Sequence, residues 1–265
     1  MFLADPSTKM TVFRNDFPGY LGWPHFWDKA HKNKWEATTF KIIQHFLRGH
    51  AEAAYIDFGA WVGPTALFAA IFSNHVYALE PDHNAFSGLV ANVNANSHLE
   101  KHIELYNECI NTETGPMTFR GIGDSTSRFR DDRGVSTWGN RETRHEWTIS
   151  CRTLPEFIQQ EGIRHLRLIK IDTEGAELVL LPSLVSWFQS LRHPKPAIWL
   201  SVHQPFYDKD VPTSSKEALW TAIGEYKFVY LEGTTLVDIQ KNNSDMLCKD
   251  FCSYLLTDDE FVMPL

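Results

Sequence analysis

Residues 53–82 read AAYIDFGAWVGPTALFAAIFSNHVYALEPD, and the order of signals within them decides the fold. Ala53–Phe58 is a short apolar run stopped by Gly59, which predicts a strand. Pro64–Phe72 is apolar nearly all round, which predicts a buried helix opened by proline. His75–Leu79 is a second short apolar run, closed by Glu80-Pro81-Asp82. A strand, a buried helix and a second strand within thirty residues form a βαβ unit, whose strands must lie parallel.

The alternation continues downstream. Asp82–Asn96 carries Phe86, Leu89, Val90 and Val93 on one face, with Asp82 as cap. Ile103–Ile110 reads as one strand, and Met117–Phe119 and Trp147–Cys151 as further short ones. Helix Leu154–Glu161, strand Leu166–Ile171, helix Ala176–Leu191 with Pro182 inside it, strand Ala197–Val202 and helix Ser214–Tyr226 follow. Phe228–Leu231 and Cys252–Leu256 are the last strands. The fold class is therefore α/β, a mostly parallel sheet with helices on both faces. Upstream, residues 1–32 interleave Phe13, Phe17, Tyr20, Trp23, Phe26 and Trp27 with Pro18, Gly19, Gly22 and Pro24, a density that breaks any long helix. Trp35, Phe40, Ile43 and Leu47 then recur at helical spacing. Residues 1–50 are read as a strap and helix, serving as packing, lid or dimer contact, ahead of one domain over 51–265.

Composition narrows the function. The 265 residues carry 25 Lys+Arg against 33 Asp+Glu, a net charge of −8, where a dedicated nucleic-acid binder needs a basic surplus. The longest clean apolar run, Ala66–Phe72, is far short of the roughly 18 residues of a membrane span, and no signal peptide is visible. Cys109, Cys151, Cys248 and Cys252 form no C-x-x-C pair and read as four reduced thiols of a cytoplasmic protein.

Open parallel sheets bind ligands beyond the carboxyl ends of their strands. Five predicted strands end in polar groups: Asp57-Phe-Gly59, Glu80-Pro81-Asp82, Asn107-Glu108-Cys109, Asp172-Thr-Glu174-Gly175 and His203-Gln204. In the first loop Gly59 permits a tight turn and Gly63 a close helix approach. Trp61 stands where a dinucleotide fingerprint places its middle glycine, and an indole there obstructs a pyrophosphate. Glu80 follows Gly59 by 21 residues, the spacing of an acid that accepts ribose hydroxyls. An adenosine-type ligand without a diphosphate fits both observations.

Three segments, YIDFGAWVGPTALFAA (55–70), VYALEPDHNAFSGLVANVNAN (76–96) and CRTLPEFIQQEGIRHLRLIKIDTEGAELVLLPSL (151–184), resemble the FkbM family of S-adenosylmethionine-dependent methyltransferases, over half the chain. The I-D-x-E-G-A-E piece is the most specific. The resemblance implies a class I (Rossmann-like) methyltransferase sheet with an antiparallel C-terminal strand, S-adenosylmethionine as cofactor, and transfer of a methyl group to an oxygen, often of a carbohydrate or polyketide-type product. It places Asp57, Gly59, Ala60, Trp61 and Gly63 around the methionine part, Glu80 at the ribose, Pro81 and Asp82 on the adenosine side, and Glu108 and Cys109 near adenine.

Methyl transfer to a weakly nucleophilic hydroxyl is helped by a base or a metal-bound alkoxide. Asp172, Glu174 and His203 are the candidates. They would either deprotonate the acceptor, with neutral His203 as base, or hold one divalent cation, Mg²⁺ or Mn²⁺. Their plain alternatives are a helix cap for Glu174, an ammonium partner for Asp172 and a hydrogen-bonded rim group for His203. Gly121–Glu146 lacks periodicity and balances five arginines against five acids. It reads as an acceptor-binding loop, with Ser127 and Arg128 nearest the site. The expected partner is a carbohydrate or other hydroxyl-bearing acceptor, with self-association left open.

Overall fold

The computed structural model of the chain describes residues 10–12, 27, 29, 34–121, 128–129, 145–191, 194–207, 211–239 and 250–263. Its strands are β1 (Ala54–Phe58), β2 (His75–Leu79), β3 (Ile103–Tyr106), β4 (Cys109–Ile110), β5 (Gly115–Gly121), β6 (Arg128–Phe129), β7 (His145–Arg152), β8 (Leu166–Ile171), β9 (Ala197–His203), β10 (Phe228–Leu231), β11 (Thr235–Leu236) and β12 (Phe251–Thr257). Eight of them form the main sheet, in the order β11-β10-β12-β9-β8-β1-β2-β3. β1 pairs in parallel with β2 and β8, and β8 with β9, while β12 runs antiparallel between β9 and β10. The chain moves outward from β1 in one direction to β3 and in the other through β8 to β9. The crevice between β1 and β8 is thus the switch point where such sheets take ligands.

Helices cover both faces: α1 (Ala37–Leu47), α2 (Pro64–Ala69), α3 (His83–Asn94), the single turn α4 (Ser97–Glu100), α5 (Leu154–Gln160), α6 (Glu177–Ser190) and α7 (Thr213–Ile223). Alternation along the strands divides the core. Tyr55 and Leu168 join Ile43, Leu67, Phe68 and Leu89 on one face, while their neighbours Ile56 and Ile169 join Phe157, Leu181, Phe188 and Leu219 on the other. These strands are buried on both sides, so they read as continuous apolar runs. Helix α1 is anchored by a Phe40–Phe68 edge contact at 4.9 Å and by the Trp199 indole donating to Thr39 at 2.9 Å.

Three expectations are corrected. The run Ile103–Ile110 is two strands: β3 closes the main sheet, and β4 belongs to a second sheet in the order β4-β7-β5-β6. The polar pair Asn107-Glu108 breaks the run. Asn107 turns its amide to the Glu80 carbonyl at 2.8 Å, and Glu108 turns to Arg152. The stretch Gly121–Glu146 is not wholly irregular, since it contains β6 and the start of β7; its remainder lies outside the described residues. Nor are the four cysteines all reduced. Cys109 and Cys151 stand opposite each other in the β4–β7 pairing, 4.5 Å apart at Cα, and are joined by a disulfide. Cys252 is a buried thiol, and Cys248 lies outside the described residues. No helix among the described residues is long and apolar enough to cross a membrane.

Candidate active site

A cavity of about 600 Å³ opens over the carboxyl ends of β1, β2, β8 and β9. Its wall carries Gly59, Ala60, Trp61, Glu80, Pro81, Glu108, Cys109, Asp172, Glu174 and His203 from the sequence reading. Asp57, Gly63 and Asp82 lie behind the wall and support it. Ser127 lies outside the described residues, and of Arg128 only the backbone pairing with Arg120 is described.

The supports explain the loop geometry. Gly59 has φ +77°, and a Cβ there would sit 2.0 Å from the Asp172 carbonyl oxygen, so only glycine lets the end of β1 meet the end of β8. Gly63, at φ +90°, caps α2, and a Cβ there would strike the Leu89 side chain of α3 at 2.6 Å. Its close approach is therefore to a helix, not to the sheet. Asp82 caps α3 by accepting the amides of Asn84 and Ala85 at 2.8 and 3.2 Å. Trp61 has φ 50°, the backbone a glycine would adopt, and its amide donates to Glu80 Oε2 at 2.8 Å. Glu80 Oε1 accepts the Asp82 amide at 2.8 Å. Burial pushes the Glu80 pKa up to about 8 against these two amides, so its carboxyl keeps a proton near neutral pH and can donate to a hydroxyl as well as accept. Glu108 is held by the Arg152 guanidinium, which also pairs with Glu161 at 2.6 Å and lies 4.6 Å over the Phe157 ring.

At the switch point lies a charged cluster, two members of which the sequence reading passed over. Lys170 is buried in β8 in register with Asp57, its ammonium 3.0 Å from Asp172 Oδ2 and 3.5 Å from Asp57 Oδ1. Thr65 donates to Asp57 Oδ2 at 2.6 Å. Burial would lower the Lys170 pKa, but Asp172 and Asp57 raise it, so the ammonium stays charged. Burial would raise the Asp172 pKa, but Lys170 and His203 hold it well below the carboxylate range. His203 Nε2 lies 3.3 Å from Asp172 Oδ1 and 3.8 Å from Glu174 Oε2, and its Nδ1 lies 3.5 Å from Glu177 Oε1. Burial would lower the His203 pKa, but Glu177 and Asp172 lift it well above 6.5. The carboxylates around the ring thus favour its protonated form.

Glu177 is the second residue passed over, and it buckles the site together. Its Oε1 accepts the His203 amide at 2.7 Å and the Tyr207 hydroxyl at 3.0 Å; its Oε2 accepts the Gly175 amide at 2.8 Å. The first-turn acid of α6 thus ties the β8 turn to the end of β9. Glu174 is no helix cap, since α6 begins at Glu177 with no side-chain cap bond. Its backbone is left-handed, φ 53°, and this brings Glu174 to the same cluster as Asp172 although β8 ends at Ile171. Among the described residues five non-glycines have positive φ: Glu36, Trp61, His165, Glu174 and Glu232. Four of these line the cavity. Strain gathered at one cavity marks a site the surrounding fold is built to hold.

The wall suits a cationic, hydroxyl-bearing nucleoside. Asp172 and Glu174 face the switch point, the Glu80 carboxyl sits at the end of β2, and the volume exceeds what one such ligand needs. On another measure, the ligating atoms of Asp172, Glu174 and His203 lie within 4.8 Å of one another.

The family model for the methyltransferase FkbM domain matches residues 54–229. Comparison with curated proteins gives no match. Among solved structures, the methyltransferase FkbM of Methylobacillus flagellatus is similar over 77% of this chain and 44% of its own, with 15% identity and a TM-score of 0.46. This chain thus spans less than half of that protein. The O-methyltransferase of Bacillus cereus in complex with SAH is similar over 88% of each chain, with 13% identity and a TM-score of 0.46. An rRNA methylase of Streptococcus thermophilus is similar over 83% of this chain and 93% of its own, with 11% identity and a TM-score of 0.43.

Proposed function

The chain belongs to the methyltransferase FkbM domain family, and from that premise we propose that it transfers the methyl group of S-adenosylmethionine to a hydroxyl of a carbohydrate acceptor. The observation that carries the reading is His203, fixed at the cavity wall between Glu177 on one ring nitrogen and Asp172 and Glu174 on the other.

Bound S-adenosylmethionine supplies a methyl group on a positively charged sulfur, which leaves as the neutral thioether. The backbone of Gly59, Ala60 and Trp61 would border the methionine part, with Asp57 and Gly63 shaping the loop from behind. Glu80 would take the ribose hydroxyls. Pro81, Glu108 and Cys109 would flank the adenine, and Asp82 holds α3 in place beside them. Asp172 and Glu174 would set negative charge beside the sulfonium. The acceptor hydroxyl, bonding to the methyl carbon as that carbon leaves sulfur, would give its proton to His203 in the neutral form. The carboxylates around the imidazole make it a stronger base than an isolated histidine, at the cost that less of it is neutral at pH 7. Turnover at saturating cofactor is therefore expected to rise with pH through a value above 6.5 and then level off; a rate that is flat across neutral pH contradicts this role.

Replacing Glu80 with alanine removes the ribose partner and the acceptor of the Trp61 and Asp82 amides together. S-adenosylhomocysteine affinity, measured by calorimetry, is expected to fall by about 1–3 kcal/mol. An unchanged affinity would move the ribose elsewhere.

A second reading has one observation behind it: the 4.8 Å span of Asp172, Glu174 and His203 is one a divalent cation could bridge. In that case a chelator abolishes turnover and Mg²⁺ or Mn²⁺ restores it. Under proton transfer to His203 a chelator leaves turnover unchanged.

A further inference from the structure

Helix α1 opens on a residue that does not cap it. Glu36 stands at the cap position in left-handed backbone, φ 44° and ψ 41°, and its side chain makes no bond to the helix amides. Helices are normally capped there by a short polar side chain on extended backbone. Glu36 joins the cavity wall instead, beside Trp61, Thr65, Lys170 and Asp172. It is accessible from the cavity and enclosed by protein around it. Two contacts hold this turn. The Thr39 hydroxyl, which accepts the Trp199 indole at 2.9 Å, bonds the Glu36 carboxyl. Trp35, one residue earlier, packs with Trp61 around the buried pair Trp27 and Val62, so the turn is clamped onto the loop that follows β1. Strained backbone persists where packing over-determines it in this way.

Charge around Glu36 is out of balance. The charged groups that act on it are Asp57 of β1, Lys170 of β8 and Asp172 at the end of β8, so three carboxyls share one ammonium. Lys170 is already engaged, 3.0 Å from Asp172 and 3.5 Å from Asp57. His203 is engaged by Asp172, Glu174 and Glu177. Among the described residues none makes an ion pair with Glu36. Burial and the Asp172 charge push its pKa up to about 7 against the pull of Lys170, which marks a carboxyl without a cation of its own. Asp57 and Asp172 cannot serve an incoming cation equally well. Asp57 is fully buried and also takes the Thr65 hydroxyl at 2.6 Å, and Asp172 is shared between Lys170 and His203.

The methionine part of S-adenosylmethionine carries an α-ammonium, and Gly59, Ala60 and Trp61, proposed above to border that part, lie on the same wall as Glu36. We infer that Glu36 is a cofactor-binding residue whose carboxylate pairs with this α-ammonium, so that the segment ahead of the sheet completes the methionine end of the site. A charge-assisted hydrogen bond there fixes the amino-acid tail and with it the direction of the sulfur. The inference rests on the proposed binding of S-adenosylmethionine in this cavity.

The test compares two ligands that differ in one group. The parent protein and Glu36→Gln are titrated by calorimetry with S-adenosylhomocysteine and with the same thioether lacking only the α-amine. The parent is expected to bind S-adenosylhomocysteine about tenfold more tightly than the deaminated thioether. Glu36→Gln keeps the size of the side chain and loses its charge. It is expected to bind S-adenosylhomocysteine about tenfold more weakly than the parent, and the deaminated thioether as tightly as the parent does, which also shows that the variant is folded. Equal affinity of the parent for the two ligands overturns the inference whatever the variant does. So does a variant that keeps the parent's preference, or one that loses both ligands, which would assign Glu36 to the shape of the turn. Each of these leaves the cofactor site standing, because the parent still binds S-adenosylhomocysteine. Failure of the parent to bind it overturns the methyl-transfer reading and the inference with it.

Discussion

Replacing His203 with alanine is expected to lower turnover by about 10²–10⁴ while S-adenosylhomocysteine still binds. The size follows from the loss of the group that takes the acceptor's proton. Asp172, still beside the Lys170 ammonium, is held too acidic to replace it. The variant takes the cation from beside Glu177 but leaves the bonds its carboxylate accepts from the position-203 amide at 2.7 Å, the Tyr207 hydroxyl and the Gly175 amide. Loss of rate without loss of fold is therefore the expected pattern, and the pH dependence described above should vanish from the residual rate. Equal loss of rate and of cofactor affinity would instead assign His203 to holding the pocket in shape.

Gly59→Ala is expected to be the most damaging alanine substitution among the described glycines, costing about 3 kcal/mol or more of stability. Two effects add at this position. The backbone is left-handed at φ +77°, and the new methyl would lie 2.0 Å from the Asp172 carbonyl oxygen. The obstacle is backbone, so no rotamer change relieves it. Relief requires parting β1 from the β8 turn, which separates Asp57 from Lys170 and Asp172. Thermal denaturation checks the cost: a midpoint within a degree or two of the parent would show that the two strand ends are not packed as described. Alanine at Gly49 makes a useful contrast, since that residue is also left-handed, at φ +80°, but nothing lies within 4 Å of its added Cβ.

What the sequence made legible is what is local. The βαβ unit from Ala54 to Leu79, the Asp82 cap, and the polar strand ends Glu80, Asp172 and His203 each announce themselves within a few residues, and the structure places them as read. What stayed hidden depends on pairing between distant segments. Lys170 inside Leu166–Ile171 looks like a stray charge until β1 and β8 pair and set it opposite Asp57. Glu177 closes the motif IDTEGAE yet reads as an ordinary first-turn acid, because its partners at His203 and Tyr207 lie 26 and 30 residues away. Cys109 and Cys151 are 42 residues apart and meet only through β4 and β7.

The most direct test of the account is where the methyl group goes. The full-length protein is incubated with S-adenosylmethionine carrying an isotope-labelled methyl group and with an acceptor bearing both a hydroxyl and an amine, and the product is read by carbon resonance. The account predicts a labelled methyl ether on the hydroxyl, formed by the parent and lost in His203→Ala, with the amine unmodified. A labelled N-methyl group, or equal labelling by the parent and the variant, would contradict it.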